Sequence, residues 1–366
     1  MTTNFNRRKF IRTAAITGVG AGLLGSLRPL YGMGKQRPAD TIRIGIIGLD
    51  TTHAIAFTKA FNNPVPVAGL EGMKVMAAFP QTSPDIAMNQ KRLPGFTEEV
   101  KKMGVEIVDS IDVLLTKVDV VLLESNDGRP HLAQALPVLK AGKKIFIDKP
   151  LAASLADGIT IFETAKKYQA AVFSASSLRF MESAEKIVKD GAIGKVLGAD
   201  TYSPAAIEKT HPDLFWYGIH GVETLYTVMG TGCNTVTRFN TPDTDVVVGM
   251  WGDERIGTFR GTRSGPDDFG GRVFGEKGSM VLGPFKGYEL LLQQIANFFR
   301  TGVSPVKPEE TLEILAFMEA AEESKRRQGA PVKLEEVEGR ITNYELRITD
   351  LCGDGKHNPQ FTIRHP

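Results

Sequence analysis

Two polar side chains, Lys149 and His220, are the strongest candidates for acid–base chemistry in this sequence. Lys149 belongs to Asp148-Lys149-Pro150, which follows the apolar run IFI and would lie at the carboxyl edge of a parallel sheet, where α/β proteins bind ligands. His220, in FWYGIHGVETLYTVMG, carries an imidazole that can accept a hydroxyl proton near neutral pH. Without further context, a solvated loop lysine and a hydrogen-bonded core histidine are the simpler interpretations.

The stretch RIGIIGLDTTHAIAF begins like the first strand and turn of a dinucleotide-binding fold. Gly48 stands where a glycine-rich phosphate loop would begin, but Asp50 replaces the second glycine and His53 the third. Asp50, Thr51 and Thr52 are good N-caps, and the helix that follows offers free N–H groups and a positive dipole end. We therefore expect Asp50 to turn away from the pyrophosphate and cap this helix, with the dinucleotide bound in a modified pose.

The end of the second predicted strand leaves the choice of dinucleotide open. An acidic residue at this position usually holds the adenosine ribose, and an arginine accommodates a 2′-phosphate. In MKVMAAFPQTSPD the strand ends in Ala78-Phe79-Pro80, with neither group. The sequence therefore does not choose between NAD and NADP.

Asp50 and His53 have a second interpretation as metal ligands, because they are three residues apart at the start of a predicted helix, with His131 as a further candidate. A zinc site needs at least three protein ligands in a suitable arrangement. No third ligand has the right spacing, and the two cysteines, Cys233 and Cys352, form no C-x-x-C pair. We therefore expect no metal site.

The elements that must position these residues change character along the chain. From Thr41, short apolar runs alternate with helical segments, which indicates a doubly wound, Rossmann-type parallel sheet. After Ser176, extended pieces such as TDVVVGMWG and RIGTFRGTR show period-2 alternation and intervening turns, which indicates antiparallel strands. The fold class is therefore α/β followed by α+β, with an N-terminal Rossmann-type sheet and a C-terminal open, mainly antiparallel sheet.

Length and composition are those of a two-domain globular protein. The chain has 366 residues, 42% hydrophobic residues and a net charge of +2 with no basic stripe, so we expect no nucleic-acid partner. The predicted segments are a signal peptide and linker (1–40), a dinucleotide-binding domain (41–150), a substrate-binding and oligomerisation domain (151–337) and a tail (338–366).

The first residues have the layout of an export signal. Arg7 and Arg8 precede Phe10, and an uncharged stretch rich in Ala, Gly and Leu runs over residues 13–27. This stretch is too short and too glycine-rich for a stable membrane span of about 20 residues. The paired arginines are typical of a twin-arginine signal, with an ordinary basic terminus as the alternative, and they predict a periplasmic protein.

Several segments in order resemble one known family. They are VDVVLLESNDGRPHLAQALPVLKAGKK, then Asp148-Lys149-Pro150, then SSLRF and GAIGKVLGAD. Together they resemble the glucose-fructose oxidoreductase / inositol dehydrogenase (Gfo/Idh/MocA) family, and the resemblance runs from about Thr41 to about Val337. It implies an NAD(P)-dependent oxidoreductase acting on a sugar or polyol hydroxyl, and a homo-oligomer paired through the open sheet.

The resemblance also implies roles for individual residues. The family segment matching Asp148-Lys149-Pro150 is usually Glu-Lys-Pro, whose lysine binds the hydroxyl being oxidised, and His220 matches the family's general acid/base. Asn126 matches the residue that lines the nicotinamide, although SNDGRPH is two residues longer between asparagine and histidine than the usual P-N-x-x-H. The implied cofactor-binding set is Gly45, Gly48, Asp50, Thr51, Thr52, Ser125, Asn126, His131, Asp148, Lys149 and Pro150.

On the substrate side the sequence departs from the family. Many relatives have an aspartate four residues before the catalytic histidine, and this chain has Trp216, whose ring could stack on a sugar face. Tyr217 and His211 are close enough in sequence to join it. Export would require a tightly bound, recycled cofactor, as in redox-neutral, NAD-dependent glycoside cleavage. The alternative is a non-catalytic sugar-binding protein on the same scaffold, with a degenerate dinucleotide site.

Overall fold

The computed structural model describes residues 41–339. The predicted signal peptide and linker therefore lie outside the described residues, as does the predicted tail from residue 340 onward. Among residues 41–339, no helix combines the length and apolar character needed to cross a membrane.

The N-terminal part is a parallel sheet whose strands alternate with helices, as predicted. Six strands lie in the order β3-β2-β1-β4-β5-β6 and pair parallel throughout. The strands are β1 (Ile42–Ile47), β2 (Met73–Phe79), β3 (Glu106–Ile107), β4 (Val120–Leu123), β5 (Lys144–Asp148) and β6 (Val172–Ala175). The helices are α1 (Thr52–Phe61), α2 (Ala87–Lys102), α3 (Ile111–Lys117), α4 (His131–Lys140) and α5 (Leu155–Lys167). With β6, this sheet continues beyond the predicted boundary at residue 150.

The C-terminal part is a seven-stranded sheet in the order β12-β11-β7-β10-β9-β8-β13. Its strands are β7 (Val196–Pro204), β8 (Cys233–Asn240), β9 (Thr244–Trp251), β10 (Ile256–Thr262), β11 (Gly270–Gly275), β12 (Gly278–Leu282) and β13 (Val332–Lys333). All pairs are antiparallel except β7 with β10. The predicted fold class, a Rossmann-type sheet plus a mainly antiparallel sheet, is confirmed.

Short helical segments join and cover the two sheets. They are a 3-10 turn (Ser177–Phe180), α6 (Glu182–Val188), a π-helical turn (Leu214–Gly218), α7 (Ile219–Met229), α8 (Glu289–Thr301) and α9 (Pro308–Arg326). Although α8 follows the second sheet in sequence, its apolar face packs on the first, where Phe298 contacts Phe173 of β6 at 5.6 Å between ring centroids. The two parts therefore share core packing, and residues from both can reach one site.

The strand order places a ligand crevice at a definite point. The chain order reverses between β1 and β4, so the carboxyl ends of these two strands border the crevice where doubly wound sheets bind ligands. All four residues of β4 and the last four of β5 are buried, as expected for strands covered on both faces. Polar residues directly after these strands are therefore held at the crevice by a rigid apolar base.

Arg238 of β8 is a buried charge that ties the second part together. Its guanidinium donates to Asp245 Oδ1 at 2.9 Å, Asp213 Oδ2 at 2.7 Å and Glu322 Oε1 at 2.9 Å. These acceptors lie on β9, directly before the π-helical turn and on α9, so one side chain fixes the segment that leads to His220. A buried cation with this many acceptors is costly to remove, because the carboxylates stay behind.

Replacement of Arg238 should therefore destabilise the protein. We expect Arg238→Met to lower the free energy of unfolding by about 3 kcal/mol or more, measured by urea denaturation. Arg272→Met is the matched control, because Arg272 is exposed on β11, and should change stability by less than about 0.5 kcal/mol. Equal stability of the two variants would contradict the role given to Arg238.

Candidate functional site

Four buried polar residues meet at the carboxyl ends of the parallel strands, and we call His53, Glu124, Asp148 and Lys149 the edge cluster. His53 is the second residue of α1, Glu124 directly follows β4, and Asp148 ends β5. His53 Nδ1 lies 2.8 Å from Asp148 Oδ2, and Lys149 Nζ lies 3.7 Å from the same oxygen. The structure thus buries Lys149 in a polar contact, which excludes the interpretation of a solvated loop lysine.

The two acids of the edge cluster have opposite electrostatic environments. Burial raises the pKa of Asp148, but the charges of His53 and Lys149 outweigh it and hold that pKa below its usual value. Glu124 is fully buried, and its pKa is raised well above the ordinary value by burial and by the negative charge of Asp148. Asp148 is therefore an anionic anchor for Lys149, whereas burial and the Asp148 charge favour the protonated form of Glu124.

His220 faces the edge cluster from α7. Burial lowers the pKa of His220 well below its ordinary value, and the charges of Lys149 and His53 lower it further. Its Nδ1 lies 2.8 Å from Ser176 Oγ, and the Ser176 N–H donates to Glu223 Oε2 at 2.7 Å. His220 is thus a neutral imidazole held by one nitrogen, which leaves Nε2 available to a ligand.

A wall of aromatic rings surrounds His220 and His53. The Tyr217 ring contacts His220 at 4.9 Å between centroids, and the Tyr288 ring contacts His53 at 4.8 Å. Phe269 and Phe285 connect them. Burial raises the pKa of both tyrosines, so their phenol groups stay protonated and can donate hydrogen bonds.

Two of the predicted substrate residues, His211 and Trp216, lie beside Asp127 and not beside His220. His211 Nε2 is 2.7 Å from Asp127 Oδ1, and the Trp216 ring packs on the His211 ring at 4.8 Å between centroids. Burial raises the pKa of the Asp127 carboxyl group. Hydrogen bonds from His211, Arg129 and Ser83 outweigh burial and hold this pKa below its usual value. Of the three predicted substrate residues, Tyr217 is the one whose ring contacts His220, while His211 and Trp216 pack beside Asp127.

Asp50 does not cap α1, so that expectation was wrong. The N-cap is Thr51, whose Oγ1 accepts the Ala54 N–H at 3.2 Å. Asp50 is buried, and it is held by three donors from other segments. They are Thr82 Oγ1 at 2.6 Å, Asn89 Nδ2 at 3.1 Å and the Asn126 N–H at 2.8 Å.

The loops that follow β2 and β4 are joined across the crevice. The Ser83 hydroxyl donates to Asp127, and Arg129 makes two hydrogen bonds of 2.8 Å to the Asp85 carboxylate. Together with the contacts of Asp50, these bonds connect three loops at the switch point of the sheet. In place of the glycine-rich loop of a standard dinucleotide site, this protein thus has a loop whose side chains hydrogen-bond to neighbouring loops.

The remaining predicted cofactor residues have different structural roles. Gly48 has φ +87°, and a Cβ at this position would lie 2.5 Å from the Ser125 backbone nitrogen, so the tight turn requires glycine. A Cβ at Gly45 would lie 2.9 Å from a Val118 side-chain carbon, so this glycine serves helix–strand packing. Thr52 is exposed at the N-terminus of α1, and Asn126 is half-buried at the crevice.

His131 is a positioning residue, which corrects its predicted place among the cofactor ligands. It is buried at the start of α4, with Nε2 2.9 Å from the Ser125 carbonyl oxygen and Nδ1 3.0 Å from that of Pro150. Both ring nitrogens face backbone, so neither is free for a ligand. His131 thus connects the loop after β4 to the Asp148-Lys149-Pro150 segment.

Comparison with known proteins shows that the N-terminal part is similar to a family of oxidoreductases. The family model described as "Oxidoreductase family, NAD-binding Rossmann fold" (GFO_IDH_MocA) matches residues 42–176. Residues 42–176 are thus similar to this oxidoreductase family, and the matched segment covers the parallel sheet from β1 to β6. The match supports an NAD(P)-dependent oxidoreductase on an NAD-binding Rossmann fold, as the sequence predicted.

Solved structures extend the likeness over both sheets. A probable dehydrogenase from Thermotoga maritima is 22% identical with a TM-score of 0.64, covering 81% of this chain and 100% of its own. A scyllo-inositol dehydrogenase from Lactobacillus casei, with bound NAD(H) and scyllo-inositol, is 18% identical with a TM-score of 0.66, covering 81% and 99%. At these identities the likeness shows the fold alone. No curated protein sequence matches the chain.

The residues of this Rossmann-type domain fit a dinucleotide in part. Gly48 forms the tight turn before α1, and a helix N-terminus is a place where phosphates bind. Asn126 and Lys149 lie at the carboxyl edge of the same sheet, directly after β4 and β5. The Asp50 carboxylate is buried and satisfied, so it does not present a negative charge to the pyrophosphate. The adenosine end has no acidic partner after β2, where the strand ends at Phe79.

Sequence reasoning missed Glu124, Ser176 and Tyr288. Glu124 had a readable signal, because an acid that ends the apolar run VDVVLL must be buried beside the crevice. Ser176 and Tyr288 had none, because their roles come from contacts with distant segments.

The Asp50 contacts predict that this loop depends on Asp50 more than on the helix cap. We expect Asp50→Ala to lower the free energy of unfolding by about 2 to 4 kcal/mol, because it leaves buried donors without an acceptor. The matched variant Thr51→Ala should cost about 1 kcal/mol from the lost cap. Both are measured by urea denaturation, and equal losses of about 1 kcal/mol would mean that the three hydrogen bonds to Asp50 stabilise the protein no more than the Thr51 cap does.

Proposed function

We propose that this protein oxidises, or reversibly oxidises, a hydroxyl group of a sugar or polyol, with Lys149 and His220 handling the hydroxyl proton. The observation that carries the proposal is the neutral, buried His220 facing the Lys149 ammonium across the edge cluster. A hydroxyl can bind between a cation that stabilises an alkoxide and a base that removes the proton. When bound, the nicotinamide supplies the hydride acceptor.

The surrounding residues set the roles of the two groups. Asp148 holds Lys149 in place, and His53 in turn holds Asp148 at 2.8 Å. Lys149 donates to the substrate oxygen and stabilises its developing negative charge. His220 accepts the proton at Nε2, because Ser176 occupies Nδ1.

The aromatic wall supports a sugar or polyol as the substrate class. Rings such as Tyr217 and Phe269 offer apolar faces to the C–H groups of a sugar, and the Tyr217 and Tyr288 phenols offer hydrogen bonds to its hydroxyl groups. A structural neighbour carries scyllo-inositol together with NAD(H), which supports the same class.

We further propose that the protein is exported and keeps its dinucleotide tightly bound. Free NAD is scarce outside the cytoplasm, so the hydride would return to a second substrate or to the same sugar. The second case permits redox-neutral glycoside cleavage. Pairing of two copies is supported by large apolar side chains exposed on the second sheet, namely Leu197, Met250, Ile256, Phe274 and Val281.

A non-catalytic sugar-binding protein is the second candidate, and the ties around Asp50 favour it. The hydrogen bonds of Asp50 and of Ser83 hold together the loops over which the pyrophosphate would lie. Mass spectrometry of the denatured, purified protein distinguishes the two functions. Stoichiometric nicotinamide dinucleotide supports the enzyme, whereas its absence, together with sugar binding and no uptake of added NAD or NADP, supports the binding protein.

Loss of either proton-handling group should abolish most of the turnover. We expect Lys149→Ala and His220→Ala each to lower kcat about a hundredfold or more, with a double variant little worse, because both act on one proton transfer. The assay follows NAD(P)H absorbance with a panel including scyllo-inositol and myo-inositol. Lys195→Ala, at an exposed lysine, is the control, and full turnover in His220→Ala would refute the assignment.

The export proposal rests on Arg7 and Arg8, which are read by the translocation machinery. Replacement of both by lysine should retain the precursor in the cytoplasm, as measured by fractionation and immunoblotting. Arg12→Lys, which keeps the pair, should leave export unchanged. Normal secretion of the double variant would show that the twin-arginine assignment is wrong.

A further inference from the structure

Three side chains of the edge cluster have the chemistry of metal ligands. One ligand atom each from His53, Glu124 and Asp148 lies within 4.8 Å of the other two. All three residues are buried, with 9%, 0% and 1% of their surface exposed. They come from the start of α1, the end of β4 and the end of β5, so three rigid elements hold them together.

The carboxylate oxygens in this cluster lack donors. Both Glu124 oxygens and Asp148 Oδ1 are buried without a hydrogen-bond partner among the described residues. A buried carboxyl group without a partner carries a large desolvation cost. Two such groups side by side add mutual repulsion, so the cluster as it stands is unfavourable.

Other buried acids in residues 41–339 show how this protein normally satisfies carboxylates. Asp50 accepts from three donors, Asp245 from Arg238 and Arg263, and Glu223 from Arg179 and Ser176. Glu124 departs from this pattern, with neither oxygen hydrogen-bonded. Asp148 Oδ2 contacts His53 and Lys149, but Asp148 Oδ1 and both Glu124 oxygens have no partner among the described residues.

We propose that His53, Glu124 and Asp148 bind a divalent transition-metal ion, with Zn²⁺ as the first candidate. One imidazole nitrogen and two carboxylate oxygens form a ligand set that Zn²⁺ accepts, and three protein ligands leave one position open. Ligand atoms around tetrahedral Zn²⁺ are roughly 3.4 Å apart. Lys149 contacts the Asp148 oxygen that also faces His53, so the unpartnered oxygens remain free for the ion.

The open position of the ion would lie beside Lys149 and His220. A metal there binds an oxygen of the substrate and polarises it as a Lewis acid. This favours substrates with two neighbouring oxygens, such as a vicinal diol or a hydroxyketone, one for Lys149 and one for the ion. This substrate class rests on the proposed function, whereas metal binding itself does not.

Metal binding is measured on the full-length protein without dinucleotide or substrate. The metal content is determined by inductively coupled plasma mass spectrometry, and the chelator-treated protein is titrated with Zn²⁺ against a chromophoric competitor. Titration with Co²⁺ reports the visible bands of a four- or five-coordinate ion. We expect one equivalent of metal, bound at least tenfold more weakly in Glu124→Gln and in His53→Ala.

Glu124→Gln preserves size and replaces a carboxyl group that has no hydrogen-bond partner among the described residues, so it should fold. The matched control is Glu313→Gln, because Glu313 is a carboxylate that accepts two backbone N–H bonds outside the edge cluster. Its metal affinity should equal that of the wild type. If the wild type binds no metal, or if Glu124→Gln binds as tightly as the wild type, the proposal is overturned. Hydride-transfer assays fail or succeed independently of this titration, so the two proposals are tested separately.

Discussion

The contact of Asp148 with His53 is the interaction on which the candidate site depends. Asp148 ends a strand buried on both faces, and at this position its negative charge has little access to water. Without the His53 and Lys149 contacts the carboxyl group would be protonated by burial, and Lys149 would lose its anchor. The same contact joins the start of α1 to β5, so the chemistry of Lys149 and the geometry of the first turn are coupled.

A similar constraint explains why this Rossmann loop differs from a glycine-rich one. A side chain at the second glycine position needs space and, if polar, hydrogen-bond partners. The Asp50 side chain points inward and accepts hydrogen bonds from donors on three segments. Once Asp50 is buried, Thr82, Asn89 and Asn126 are needed to satisfy it. The loops after β2 and β4 are then held near one another, and Ser83, Asp127 and Arg129 reinforce that closure. The loop that departs from the glycine-rich pattern is therefore held by several side chains together and not by Asp50 alone.

The second part of the molecule supplies the remaining half of the site through buried polar anchors. Arg238 fixes the segment around Asp213, and α7 follows directly with His220. Ser176, at the end of the first sheet, then binds His220 and Glu223. Because α8 also packs back on the first sheet, Tyr288 at its start reaches His53. The position of His220 relative to Lys149 is thus set by contacts from both sheets.

The sequence by itself determined the elements and the residues at their ends. Alternation and apolar runs are local signals, so they predicted the parallel sheet, the antiparallel sheet, the turn at Gly48 and the place of Lys149 after a buried strand. The family resemblance added roles for Lys149 and His220, which remain proposals. Glu124 was equally readable, because an acid after an apolar strand follows the same rule as Asp148.

Only the tertiary structure decided which side chains become partners. His53 and Asp148 are 95 residues apart, and Asp50 and Asn126 are 76 apart, so no local pattern connects them. Their pairing depends on the strand order, which brings these side chains together, and on the free-energy cost of burying a charge. A buried carboxylate lowers this cost when it accepts hydrogen bonds from donors that the fold places beside it. For that reason Thr51 and not Asp50 caps α1, His211 contacts Asp127, and Glu124 lies beside Asp148 without a hydrogen-bond donor.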